Sequence, residues 1–312
     1  MVMAKAGNMM RRQLPAGLKF ELKSRWNLPF SITSFVSELM ATAIFVYIGT
    51  GTAVTFSSVY DDNGFTTGGV NFTDNSATDF RQSFTELNTR IQVNSSWGIT
   101  TALAFGLAIT VLAYATAHLS GGQLNPAVSF GLMLAGALPP IQMAVNIIAQ
   151  IIGAILGSAL LDATIPFGED RTLGSNQIAP GVGYGNALCG EIVMTAVLVT
   201  VVLETAVNKK NEVARSQAPL AIGFAVFCAH AVLLPIDGCS INPARSLGPA
   251  IISGTWPGTF WVFVVGPFLG AIVAVPFHLF FRSNLEEGPV EDPIDFRSLG
   301  SASQDVAEED AV

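Results

Sequence analysis

Ser120-Gly121-Gly122-Gln123-Leu124-Asn125-Pro126-Ala127-Val128 and Gly238-Cys239-Ser240-Ile241-Asn242-Pro243-Ala244-Arg245-Ser246 are the stretches that decide how this chain folds. Each contains Asn-Pro-Ala. Asn is a favoured N-cap, because its side-chain oxygen accepts a backbone N–H of the first helical turn. Pro is favoured just inside a helix, where its missing N–H costs nothing. Each tripeptide therefore predicts a helix start, one over 125–134 and one over 242–251. The surrounding segments, 119–134 and 236–252, carry no charge apart from Asp237 and Arg245. An aqueous loop is not so apolar, so each is expected to fold back into a membrane as a reentrant half-helix. About ten residues of helix span roughly 15 Å. Two such pieces entering from opposite faces would cover the roughly 30 Å hydrocarbon core and meet at its centre.

The rest of the chain supplies the membrane. Half of its 312 residues are hydrophobic and 12% are charged, against about 25% charged in an ordinary soluble domain. The charges crowd into residues 1–30, 61–90, 162–171, 209–215 and 282–312. Between them lie apolar runs at about 34–56, 97–117, 140–161, 186–206, 218–236 and 258–281, each close to the roughly 20 residues a spanning helix needs. The expected fold is an all-α membrane protein with six transmembrane helices plus two reentrant half-helices. Lys5, Arg11, Arg12, Lys19, Lys23 and Arg25 precede the first run, and Lys209, Lys210 and Arg215 separate the fourth from the fifth. Six spans put both clusters and the C-terminus on one side, which the positive-inside rule makes cytoplasmic. The first run is then expected to act as an uncleaved membrane signal, with a plasma membrane as the expected location. The opposite face receives a first loop, about 57–96, with Asp61, Asp62, Asp74, Asp79 and Glu86 and two glycosylation sequons at Asn71 and Asn94. The net charge of −8 owes much to the tail, and no basic stripe points to nucleic acid. Cys189, Cys228 and Cys239 do not form a disulfide pattern, and His118 and His230 have no catalytic or metal-ligand spacing.

The chain also repeats itself. Gly106 precedes Asn125 by 19 positions, and Gly223 precedes Asn242 by 19. Glu38-Leu39-Met40-Ala41-Thr42 opens the first span and Glu191-Ile192-Val193-Met194-Thr195 the fourth. Three spans per half reverse direction, so the halves are inverted repeats with the functional site expected near the midplane between them. The expected organisation is a cytoplasmic arm over 1–32, a first repeat over 33–161, an extracellular connection over 162–185, a second repeat over 186–281, and an acidic cytoplasmic tail over 282–312. Gly153 and Gly157, and Gly266 and Gly270, are small-xxx-small pairs suited to close helix packing.

Chemistry follows from the meeting of the half-helices. Two positive dipole ends converge there, with the amides of Asn125 and Asn242 as donors. A water at that point turns its oxygen to both and its hydrogens away, so a proton relay is broken and cations are repelled. Irregular backbone at membrane depth is tolerated where it lines a cavity. The carbonyls of Gly121, Gly122 and Gln123, and of Gly238, Cys239 and Ser240, are the expected acceptors for passing water. Glu38 and Glu191, buried charges at matched positions, are expected to accept N–H groups from the turns and hold their shape. Glu204, near a span end, is expected to be solvated. A proton relay through Glu38 or Glu191, as in a coupled transporter, is the competing reading. Arg245, three residues into a half-helix, puts a positive charge at a positive dipole end, which makes sense as a cation barrier.

These motifs resemble the two signatures of the aquaporin, or major intrinsic protein, family over about residues 33–281. The resemblance implies a second constriction formed by Phe105, His230, Cys239 and Arg245. A bulky Phe with His is similar to the family's water-selective version, whereas glycerol channels have a small residue at the His position and Asp where this chain has Ser246. It further implies a passive, non-enzymatic water channel driven by osmotic gradients, without cofactor or resident metal, with mercurial block at Cys239, and a homotetramer with one pore per subunit. A wider solute range of glycerol, ammonia, hydrogen peroxide or carbon dioxide is the alternative within the family. Val264 departs from the Trp common there two residues before Gly266-Pro267.

Overall fold

The computed structural model of the chain describes residues 30–61, 77–165, 172–208 and 211–284. Most of the N-terminal arm and of the acidic tail, Asn71, and the Lys209-Lys210 pair lie outside them. In chain order the helices are α1 (Ile32–Asp61), α2 (Ala77–Ser120), α3 (Pro126–Leu134), α4 (Pro140–Thr164), α5 (Tyr184–Val202), α6 (Glu212–Asp237), α7 (Pro243–Ser253) and α8 (Val262–Asn284). A π-turn, Leu203–Val207, continues α5. Six of these helices, all but α3 and α7, are long and apolar enough to cross a membrane. The expected architecture of six spans and two half-helices is therefore present.

One expectation is corrected. The stretch 57–96 is not a loop throughout, because α1 runs to Asp61 and α2 begins at Ala77 and extends for 44 residues. No Gly or Pro interrupts 77–97, so nothing stops the helix before the apolar segment begins. An apolar run marks where a helix enters the bilayer, not where it starts.

The burial pattern is that of a protein dissolved in lipid. Large apolar side chains such as Met40, Leu107, Val111, Phe224 and Phe280 are exposed, while Glu38, Asn146, Gln150, Glu191 and Arg245 are buried. Without water outside, apolar surface need not be hidden, and polar groups must find partners within the bundle.

The helices pair in the same way in both halves. α1 packs along α4, α5 along α8, and α2 crosses α6 at the centre. Missing side chains allow this closeness. A Cβ on Gly153 or Gly157 would strike the carbonyls of Leu39 or Ala43 in α1. One on Gly270 would lie 2.6 Å from the Ile192 carbonyl in α5, and one on Gly106 2.7 Å from the Gly223 carbonyl. The half-helices are exchanged between halves. α3 lies mainly against α8, α7 mainly against α4, and α3 and α7 touch each other.

Candidate functional site

The two half-helix starts are built alike. Asn125 and Asn242 are extended N-caps, both with φ −153°, followed by Pro at the first helical position. Asn125 Oδ1 accepts the Ala127 N–H at 2.9 Å. Asn242 Oδ1 accepts those of Ala244 at 3.0 Å and Arg245 at 3.3 Å. With its oxygen committed to the cap, each amide must turn its nitrogen toward the opposite half. Asn125 Nδ2 donates to the Ile241 carbonyl and Asn242 Nδ2 to the Leu124 carbonyl, both at 2.8 Å. The expected role of these amides is to donate to water; one hydrogen of each instead ties the half-helices together.

The turns leading into the caps share a backbone. Gly121, Gly122 and Leu124 have φ of 94°, 60° and 53°. Gly238, Cys239 and Ile241, at the matched positions, have 78°, 53° and 44°. Left-handed backbone is unfavourable for Leu, Ile and Cys, so outside contacts must hold it. Glu38 accepts the N–H of Gln123 at 2.9 Å and of Leu124 at 2.7 Å. Glu191 accepts those of Ser240 and Ile241, each at 2.6 Å. Both carboxylates are fully buried and each grips the two N–H groups immediately before its Asn. Around Glu38 a side-chain network not read from the sequence is added. Ser120 Oγ and Gln150 Nε2 donate to it, Gln150 also reaches Ser129, and Ser129 and Asn146 both donate to Gln123 Oε1. Gln150 and Asn146 are polar residues inside an apolar span, which is the signal that they have partners.

Phe105, His230, Cys239 and Arg245 come together beyond the second turn. Phe105 stacks on His230 with ring centroids 4.1 Å apart, and the Arg245 guanidinium lies 5.0 Å from the centre of the Phe105 ring. His230 Nδ1 contacts the Val226 carbonyl at 2.9 Å. That contact requires the proton on Nδ1 and leaves Nε2 as an acceptor. Arg245 is spread between two carbonyls, Nη1 donating to Gly174 at 2.7 Å and Nη2 to Gly238 at 3.4 Å. Relative exposures are 0% for Phe105 and Cys239, 1% for His230 and 2% for Arg245, so all four are tightly enclosed.

A cavity of about 250 Å³ leads to this point. Its walls include Leu138, Val207, Gly121, Gly122, Gln123, Ser240, Asn125, Asn242 and His230. Phe105, Gly238, Cys239 and Arg245 are not in these walls. The Gly238 carbonyl also accepts Arg245 Nη2, which leaves it one lone pair. Cys239 is buried, whereas Cys189 and Cys228 lie exposed on helix faces. Glu204, expected to be solvated, keeps about a quarter of its side chain exposed (24%) but is also paired. Its Oε1 pairs with His278 Nδ1 at 2.7 Å and its Oε2 accepts from Asn208 at 2.8 Å. The π-turn and α8 bring these groups together, and His278, 74 positions away, gives no local hint of it.

The family described as Major intrinsic protein matches residues 25–278. Aquaporin-1 from Bos taurus is 38% identical over 240 residues, covering 77% of this chain and 78% of that protein. Aquaporin-1 from Homo sapiens is 36% identical over the same length and coverage. The X-ray structure of the aquaglyceroporin from Plasmodium falciparum superposes with a TM-score of 0.58 at 21% identity, over 79% of this chain and 95% of that one; at that identity the likeness speaks for the fold alone. The chain belongs to the major intrinsic protein family: it is an integral, multi-pass membrane channel and not an enzyme.

Proposed function

We propose that this channel passes water along an osmotic gradient and excludes ions and protons. The observation that carries this reading is the near-complete burial of Phe105, His230, Cys239 and Arg245, with Phe105 stacked on His230 and the Arg245 guanidinium over the Phe105 ring, which supports a narrow filter. Below this filter, Asn125 and Asn242 form the second constriction with Pro126, Ala127, Pro243 and Ala244. Each Asn keeps one N–H for a passing water, beside two convergent half-helix dipoles. Carbonyls of Gly121, Gly122, Gln123 and Ser240 serve water along the cavity. Glu38 and Glu191 hold the turns; their oxygens accept backbone N–H groups, which supports a scaffold rather than a proton relay. The pores assemble as a homotetramer, with both termini cytoplasmic.

Stopped-flow swelling of proteoliposomes tests the reading. High water permeability with negligible glycerol flux and no proton current is expected. Glycerol flux equal to that of an open family pore would overturn water selectivity, and dependence on a proton gradient would point to a transporter. His230→Gly with Phe105→Ala should admit small polyols. Cys239→Ser should abolish mercurial block while water still flows; persistent block would place the reactive thiol at Cys189 or Cys228.

A further inference from the structure

Asp237 is the second charge in the second reentrant segment, and the pore described so far gives it no role. It is fully buried. Its Oδ1 accepts the Cys239 N–H at 2.9 Å, its backbone carbonyl accepts Asn176 Nδ2 at 3.2 Å, and its Oδ2 has no hydrogen-bond partner.

The inverted repeat shows what this residue must do and what it need not. The matched position in the first half, five residues before the Asn, is Ser120. Its Oγ accepts the Gly122 N–H at 3.1 Å, the same bond across the same left-handed turn that Asp237 makes to Cys239. A neutral hydroxyl therefore suffices for the turn. The halves also differ three residues after the Asn, where the first has Val128 and the second Arg245. The carboxylate occurs in the repeat that carries the guanidinium.

Arg245 needs such a neighbour. It is buried at the positive end of α7, its Nε has no partner, and it bonds only to two carbonyls, one of them at 3.4 Å. A buried charge is costly without compensation. Glu191 and Asp237 are the carboxylates nearby whose charge would favour it, neither forming a direct ion pair with it, and both oxygens of Glu191 are engaged by Ser240 and Ile241. Asp237 retains an uncommitted oxygen. It is also joined to the half-helix that carries Arg245, since Asn176 bridges its carbonyl to the Ser246 hydroxyl. The carbonyl that takes Arg245 Nη2 belongs to the next residue, Gly238.

We propose that Asp237 is a positioning residue of the filter: it supplies the negative charge that holds the Arg245 guanidinium in place, so that cation exclusion depends on the Asp237–Arg245 couple and not on Arg245 alone. This rests on the filter assignment above. Without the carboxylate, Arg245 keeps only its two carbonyl bonds and is drawn toward water, and the barrier weakens.

The test uses full-length protein in proteoliposomes, with proton leak read from a trapped pH dye under a potassium–valinomycin clamp. The variants are Asp237→Asn, Asp237→Ser, Arg245→Val, and Asp237→Asn with Arg245→Val. Asn keeps the acceptor and the shape; Ser is the first repeat's own solution to the turn, so a folding failure of one variant leaves the other. Each Asp237 variant should raise the leak about tenfold, a typical coupling between interacting charged residues. Arg245→Val should leak as well, and adding Asp237→Asn to it should change nothing. Wild-type tightness in both Asp237 variants alongside a leaking Arg245→Val would reduce Asp237 to a turn oxygen and overturn the proposal. An equal added leak from Asp237→Asn in both backgrounds would overturn it too, by showing independence from Arg245. A tight Arg245→Val would instead overturn the filter reading itself.

Discussion

In the first reentrant turn the Glu38 carboxylate receives four donors, the N–H groups of Gln123 and Leu124, the Ser120 hydroxyl and the Gln150 amide. In the second, Glu191 receives two, from Ser240 and Ile241. The positions that could have supplied the others hold different chemistry. Asp237 replaces Ser120, and Phe263, which stands where Gln150 stands, offers its carbonyl to Ser240 Oγ at 3.0 Å. One backbone shape is thus held in two ways. The first turn is closed by a saturated neutral network around one charge. The second gives up donors to Glu191 and gathers three ionisable groups, Glu191, Asp237 and Arg245. Hydrogen bonds to the gripping carboxylate are concentrated in one half, and ionisable groups in the other.

The largest effect should come from removing the saturated hub. Glu38→Ala strands four donors, three of them buried, and each unsatisfied buried group costs about 1–3 kcal/mol, enough to prevent assembly. Glu191→Ala strands two and should be milder. Thermal unfolding of the detergent-solubilised protein ranks them; equal losses, or a larger one for Glu191→Ala, would break the contrast drawn here. Next in size is helix contact. Gly157→Leu would drive a side chain into the Ala43 carbonyl of α1 and should cost about 1–3 kcal/mol or more by overpacking. The same substitution at Gly136, which has nothing within 4 Å of an added Cβ, should be cheaper, limited to the strain of its positive φ. Parity between the two would deny the close packing a role.

A smaller effect should sharpen the comparison at the turns themselves. Cys239 adopts the backbone that its partner position fills with Gly122. Left-handed backbone costs a non-Gly residue roughly 1–2 kcal/mol. Cys239→Gly should therefore stabilise the protein by up to that amount. Gly122→Cys should destabilise it, the more so because its Cβ would lie 3.2 Å from Ala113 Cα. Melting temperatures moving the other way would mean that the Cys239 side chain contributes more packing than its backbone loses. The smallest effect belongs to the Glu204–His278 pair, for which the first half has Gly51 and Ile165 at the matched positions. Glu204 is 24% exposed, so solvent screening limits the pair to under about 1 kcal/mol. His278→Phe should shift the melting temperature by no more than a few degrees, and a large shift would make the π-turn a main support of the bundle.

Much of this protein is written locally in its sequence. Six spans follow from hydropathy, because lipid demands about 20 apolar residues wherever a helix crosses. The half-helices follow from Asn-Pro, whose capping geometry is a property of two adjacent residues, and the inverted symmetry follows from matched spacings around Gly106, Gly223 and the two Asn. What only the tertiary structure decided lies between residues distant in the chain. The Asn125 amide meets the carbonyl of Ile241, 116 positions away. Glu204 finds His278, and Arg245 finds Gly174 in a connecting loop with no distinguishing composition. A side chain's periodicity or capping chemistry reports its own helix, but its hydrogen-bond partner is set by how the two repeats pack. Asp237 stands on that boundary: the sequence shows a charge in an apolar segment, and the folded repeat, by placing Ser120 in the same turn, shows what the charge is not needed for.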